Sequence, residues 1–176
     1  MVKVVNRQEN SDDCFVCGVH NQLGFRSMFY ETETEEVICL AYSKFEYQSY
    51  PERLHGGICT TLLDETMGRA ILIHNPDTFG VTVDMQTKFL KPVPLNQTLR
   101  IIGIITSDRH IFTAEGKILL EDGTIAVTAS AKYLKLPIPK IAESLQDGKN
   151  IMYMVQTDKE VDQISNNGPL HIIYKN

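Results

Sequence analysis

The spacing of apolar residues changes period along the chain, and each change marks an element. Residues 24–30 alternate, Phe25 and Phe29 against Arg26 and Met28, and read as a strand. An acidic turn over Thr32–Glu36 separates it from a second strand, Val37–Tyr42. Gln48–Arg53 contains Tyr50 and Pro51 and reads as a loop. After His55-Gly56-Gly57 the period becomes helical for about four turns, to Ile73. At about 100° per residue, Cys59, Leu63, Met67 and Ala70 align, with Leu62, Thr66 and Ile73 beside them and Ile58 and Ile71 at the edges. An apolar arc wider than half the circumference belongs to a helix buried on most sides. Only Arg69 interrupts it.

Beyond Asn75-Pro76-Asp77 the pattern is that of strands. Val81, Val83, Met85 and Phe89 alternate with Thr82, Asp84, Gln86 and Lys88 over Gly80–Lys91. Thr98–Ser107 is rich in β-branched residues, and Ile111–Leu120 and Thr124–Leu136 flank the turn signal Asp122-Gly123. Two strands, one long helix and four long strands predict an α+β domain, an antiparallel sheet with one helix on a face. Met1–Asp13 reads as a loose lead-in. The domain is expected to span 1–136. Residues 137–176, which begin with Pro137 and Pro139, read as an extension with short strands over Ile151–Val155 and His171–Tyr174.

Composition narrows the function classes. A chain of 176 residues, 43% hydrophobic and 22% charged, is one ordinary globular domain. A net charge of -5 argues against a phosphate-backbone surface, so no nucleic-acid partner is expected. No run approaches the roughly 20 apolar residues of a membrane helix, and the polar N-terminus lacks a signal-peptide core. A cytoplasmic protein without a membrane partner is the expectation, its four cysteines reduced.

The chemistry concentrates between Gln48 and Asp64. The first N–H groups of a helix lack intrahelical partners. Glycines there let another molecule's carbonyl approach closely, and the helix dipole adds positive charge. Gly56 and Gly57 therefore make either a tight turn into a helix or a site for a developing oxyanion. Asp64, about two turns further, borders the apolar arc beside Thr60 and Ile71. It is either a solvated edge acid or a partly desolvated carboxylate suited to act as base or nucleophile. Glu65 stands one turn before Arg69 as an i,i+4 pair. His55 is suited to hold the loop by hydrogen bonding.

The run from His55 to Gly68, with His-Gly-Gly followed by Asp64, resembles the signature of the PaaI-like acyl-CoA thioesterases of the hotdog superfamily. Cys14-Phe15-Val16-Cys17-Gly18 with Asn21 and Gly24, and Gly80–Met85 with Lys88–Val93, resemble two further stretches of that group, in the same order. The resemblance covers about Cys14–Leu136. It implies a sheet wrapped around the central helix, a homodimer or dimer of dimers, and active sites at the subunit interface. One subunit would give the Gly56 N–H, with His55 and Gly57 bounding the substrate, and the other would give Asp64. Thr82 corresponds to a hydroxyl that holds water in some members. The family often carries Gln or Asn six residues before the histidine; here Ser49 stands there and Gln48 lies seven before, leaving Gln48 as the offset candidate for substrate contact.

The resemblance implies hydrolysis of an acyl-CoA substrate with no cofactor. A non-catalytic acyl-CoA-binding or regulatory protein is the alternative, since a fold does not fix a function; a dehydratase shares the fold but has a different His and carboxylate arrangement. Cys14, Cys17 and His20 have metal-like spacing, but structural zinc needs four ligands and no second Cys pair exists, so no metal is expected. Cys39 and Cys59 fall on core faces, where free cysteine is packing. Lys88 and Lys91 read as edge-strand charges or as contacts for coenzyme A phosphates.

Overall fold

In the computed structural model, which describes residues 1–137, 154, 157 and 160–175, one sheet of nine strands carries one α-helix. The strands are β1 (Val2–Arg7), β2 (Met28–Thr32), β3 (Val37–Tyr42), β4 (Thr78–Phe89), β5 (Thr98–Ser107), β6 (Ile111–Leu119), β7 (Ile125–Pro137), β8 (Val161–Ile164) and β9 (Ile172–Tyr174). Helix α1 spans Gly56–Arg69. The sheet order is β4-β7-β6-β5-β3-β2-β1-β8-β9, and every pairing is antiparallel.

The helix is clasped by the sheet, touching β3, β4, β5, β6 and β7. Leu62, Leu63 and Met67 are fully buried, as the wide apolar arc predicts. Each contributes roughly 1.5–3 kcal/mol on leaving water. The closest approach is at Gly103 of β5, where a Cβ would lie 2.8 Å from the Thr66 backbone oxygen. A second core lies on the other face of the sheet. Along β3, Val37, Cys39 and Ala41 face α1, while Ile38 joins Val2, Tyr30, Ile102, Leu119, Val161 and Ile164. Burial on both faces explains why β3 reads as a continuous apolar run rather than an alternation.

Several sequence expectations are corrected. Residues 2–7 of the supposed lead-in form β1, which joins β2 to β8. The strand expected from Gly24 begins at Met28; Phe25 instead packs in the loop against Tyr47, with ring centroids 4.3 Å apart. The α-helix stops at Arg69 and tightens to a 3₁₀ turn over Ala70–Ile73. Arg69 is buried rather than a flaw in the stripe, its guanidinium 4.2 Å from the Phe29 ring centroid. Along β4 a bulge between Thr82 and Asp84 breaks the simple alternation. Gly80 and Thr82 face the helix side before it, Met85 and Thr87 after it. Val81 and Val83 are therefore exposed on the sheet's outer strand.

In the extension, β9 falls where a strand was expected and β8 was not foreseen. The strand expected over Ile151–Val155 lies, Met154 apart, outside the described residues. Fully buried Arg100 ties this region down, donating to Ser165 O and Oγ and to Gly168 O. No helix among the described residues is long and apolar enough to cross a membrane.

Candidate active site

At its N-terminal end α1 offers a backbone donor. His55 caps the helix, and its Nδ1 accepts the Gly57 N–H at 2.9 Å. Among the described residues no acceptor meets the Gly56 N–H. The cap thus occupies the second glycine and leaves the first free. The side chains of Thr60 and Thr61 bond back to the carbonyls of Gly56 and Gly57, at 3.2 and 2.9 Å, which stiffens this turn. A groove runs past Gly56 between Tyr50, Arg53, Phe89, Leu90 and Val93. The φ of Gly56 lies outside the left-handed region, and a Cβ there would lie 3.3 Å from the Phe89 ring. Space at Gly56, and not an unusual backbone, is what glycine supplies.

Gln48 does not join this end. Its Oε1 accepts the Glu52 N–H at 2.8 Å and closes its own loop. Lys88 and Lys91 are exposed, on β4 and just beyond it.

Asp64 occupies the second half of the site, half-buried on α1. Its Oδ1 accepts two hydroxyls, Thr82 Oγ1 at 2.8 Å and Tyr133 Oη at 3.2 Å. No donor among the described residues reaches Oδ2. One carboxylate oxygen is therefore clamped and the other is available. Tyr133 was not foreseen. It lies on β7, is 1% exposed, stacks on Phe112 and also donates to the Asp64 carbonyl at 3.1 Å. Burial, then the Asp64 charge, push its phenol far above the usual range, so it stays a donor. A signal existed in the alternation of β7: Val127, Ala129 and Ala131 point inward, which buries Tyr133 and obliges its hydroxyl to find a partner.

A cleft of about 250 Å³ opens beside Asp64. Thr82, Phe79, Gly80 and Tyr133 form one side, and Cys14, Cys17, Glu65 and Arg69 the other. The expected Glu65–Arg69 pair is present at 2.7 Å. His20 is not with the cysteines; it meets Asp12 at 3.0 Å on the surface. The donor atoms of Cys14, Cys17 and Glu65 lie within 4.8 Å of one another. Cys39 and Cys59 are buried, and burial pushes both thiols up to about 12.

The two halves are separated within one chain. The eight residue steps of helix from Gly56 to Asp64 rise about 12 Å. A single carbonyl cannot touch both within one protomer.

The comparisons with known proteins agree with this architecture. The family model of the thioesterase superfamily matches residues 52–127. The acyl-coenzyme A thioesterase THEM4 of Rattus norvegicus is 25% identical over 131 residues, covering 69% of this chain and 53% of that protein. An uncharacterized protein of Schizosaccharomyces pombe is 26% identical over 116 residues, 64% of this chain and 66% of the other. The chain thus spans about half to two-thirds of the length of these relatives. A solved thioesterase superfamily protein superposes with a TM-score of 0.65 at 26% identity, over 70% of this chain and 60% of the other. The fold is shared with PaaI of E. coli, at a TM-score of 0.52 and 14% identity over 56% of this chain and 75% of the other. It is shared too with a hypothetical thioesterase protein of Streptococcus pneumoniae solved with coenzyme A, at 0.53 and 21% over 58% and 82%. Residues 52–127 thus match the thioesterase superfamily model, and the sheet clasping one helix is the hotdog fold of these solved thioesterases.

Proposed function

We propose that this protein hydrolyses acyl-CoA thioesters at a site shared by two copies of the chain. The observation that carries this reading is the clamped Asp64 carboxylate, with one oxygen fixed by Thr82 and Tyr133 and the other free to work. A residue kept only for binding would not need such orientation. The unpartnered Gly56 N–H supplies the complementary element, a backbone donor for the oxyanion that forms when the thioester carbonyl is attacked.

The separation of about 12 Å along α1 is what calls for a second chain. Gly56 of one protomer meets Asp64 of the partner subunit, and the homodimer has two such sites. The exposed β4 edge supports this. It is long, at the margin of the sheet, and carries Val81 at 41%, Val83 at 57% and Phe89 at 56% exposure. An edge of this kind is a template for strand pairing. A dimer of dimers is an extension of the same arrangement.

In the reaction, the carbonyl oxygen takes the Gly56 N–H as it gains charge. Asp64 drives attack on the carbonyl carbon, as base on water or as nucleophile. The carbon–sulfur bond breaks and coenzyme A leaves as a thiol; the acid is released directly where water attacked, or after water hydrolyses the acyl anhydride formed on Asp64 where the carboxylate attacked. Relatives named as acyl-coenzyme A thioesterases and a fold neighbour solved with coenzyme A support this substrate class. No step requires a cofactor, and the cytoplasm is the setting we propose.

Thiol release from short, medium, long and aromatic acyl-CoAs tests the reading. Turnover of at least one class is expected, with ¹⁸O from labelled water in the acid product. Tight binding of every class without thiol release would replace it with the acyl-CoA-binding alternative.

A further inference from the structure

Across the cleft from Thr82 sits chemistry that thioester hydrolysis does not use. Cys14-Phe15-Val16-Cys17 winds into a turn closed by the Gly18 N–H on the Cys14 carbonyl at 2.8 Å. A Cβ at Gly18 would lie 2.3 Å from that carbonyl oxygen, so the tight winding depends on glycine. The turn brings both sulfurs to one side. Cys17 Sγ accepts Arg69 Nη2 at 3.0 Å and shares a hydrogen bond with Ser11 Oγ at 3.3 Å. Cys14 Sγ accepts the Val16 N–H at 3.3 Å.

Arg69 is held rigidly. Its other contacts are Glu65 at 2.7 Å, the Glu9 carbonyl at 2.9 Å and the Phe29 ring. A fixed, desolvated guanidinium against a sulfur favours thiolate. The Cys14 thiol donates to Cys17 and Arg69 adds its charge, which bring the Cys17 thiol down to about 6, against the opposing effects of burial and Glu65. The same hydrogen bond, with burial, pushes the Cys14 thiol well up, so Cys14 keeps the proton. Glu65 lies near both sulfurs, but its carboxylate already meets Arg69. The cation of this cluster is therefore the guanidinium, and the arrangement is a thiol beside a thiolate. Both cysteines line the Asp64 cleft, Cys14 half-buried and Cys17 1% exposed, and neither Cys39 nor Cys59 does.

We propose that Cys14 and Cys17 are a peroxide-oxidisable dithiol in the wall of the Asp64 cleft, with Cys17 the attacking thiolate and Cys14 the resolving thiol. Cys17 sulfur attacks one oxygen of hydrogen peroxide. The O–O bond breaks, an S–O bond forms, and the released hydroxide takes a proton to become water. Cys14 sulfur then attacks Cys17 sulfur; the S–S bond forms, the S–O bond breaks, and the second water leaves with the Cys14 proton. The two sulfurs lose two electrons and the peroxide gains them.

The test uses the full reduced chain and hydrogen peroxide. Denatured thiols should fall from four to two per chain, the intact mass should drop by about 2 Da, and peptide mapping should link Cys14 to Cys17. Cys14→Ser should instead give one sulfenic acid, captured by dimedone on Cys17. Alkylation of Cys17 by iodoacetamide should reach half its maximal rate near pH 6 in the wild type, and at higher pH in Arg69→Met. Should that variant fail to fold, the wild-type pH profile and the Cys14→Ser adduct still decide. Four intact thiols after peroxide, oxidation spread equally to Cys39 and Cys59, or stoichiometric zinc on the cysteines of the purified chain would each overturn the proposal. None of these readouts depends on thioester turnover.

Discussion

The two ends of helix α1 solve the same problem by opposite means. At the Gly56 end the proposed working group is backbone, placed by His55-Gly56-Gly57 with the histidine as cap. At the Asp64 end it is a side chain, oriented by hydroxyls from β4 and β7 that are 18 and 69 positions away in sequence. The first depends on local geometry and on the absence of a side chain. The second depends on the sheet having its correct register, including the bulge between Thr82 and Asp84. A local device tolerates change elsewhere in the fold; a long-range one fails whenever the strands slip. The comparison is sharpest where the two ends are altered separately.

The largest effect is expected at the Asp64 end. Asp64→Asn keeps the size and still accepts the Thr82 and Tyr133 hydroxyls, so the fold should persist. It removes the proposed base or nucleophile, a contribution of about 10²–10⁴ in rate. A fall in kcat near the top of that range is expected in a steady-state assay, with the circular dichroism spectrum unchanged. Retained kcat would remove Asp64 from the reaction.

Gly56→Ala should follow, with kcat down about 10²–10³-fold, the usual loss for an oxyanion donor. The backbone there is ordinary and the added methyl meets only the edge of the Phe89 ring, so the melting midpoint should move by a few degrees at most. Strong destabilisation with intact specific activity would make Gly56 a turn glycine and nothing more.

Mixing the two inactive variants tests whether the ends meet across subunits. If half of the re-formed dimers are mixed, and each mixed dimer rebuilds one intact site of two, activity should recover to about a quarter of wild type. Recovery is impossible if both groups act within one chain. An equilibrium mass of one 19.9 kDa chain at micromolar concentration would also remove the shared site.

The same contrast decides what was legible in the sequence. The helix start at His55-Gly56-Gly57 was readable because a cap and a glycine pair act on their own neighbours. Strands β3 and β5 were readable to the residue, β3 because burial on both faces leaves an apolar run and β5 because it is rich in β-branched residues. Asp64 and Thr82 entered as separate candidates, and the structure joins them at 2.8 Å. Tyr133 stayed hidden because its role exists only once β7 pairs with β4 and turns its hydroxyl to the helix. Arg69 looked like an error in the apolar stripe, since its local partner Glu65 was legible but nothing local reveals that Cys17 and Phe29 also surround it. Strand β1 was missed for a related reason: half of its residues are exposed, and it is a strand through pairing with β2 and β8 rather than through its own pattern.

The smallest effect concerns the two hydroxyls on Asp64, and it separates their contributions within the long-range half. Each is a hydrogen bond to a charged acceptor, of a kind that contributes roughly 1.5–3 kcal/mol. Their shared acceptor and the exposure of Thr82 should reduce each loss to about 1 kcal/mol, or roughly fivefold in kcat. Thr82 is the closer, at 2.8 Å against 3.2 Å for Tyr133. The single Tyr133 proton is shared between the Asp64 carboxylate and its backbone carbonyl. Thr82→Ala should therefore lower kcat with little change in stability, because an exposed hydroxyl is lost to water. Tyr133→Phe keeps the ring on Phe112 but leaves the Asp64 carbonyl without that donor, so it should lower both kcat and the melting midpoint. Measuring both quantities for both variants gives the outcome. If the double variant loses no more than the worse single one, the hydroxyls act as one clamp on one oxygen. If the losses multiply, they hold Asp64 independently. If neither variant moves kcat, Asp64 is not oriented by this network, and the argument that its free oxygen is the working one fails with it.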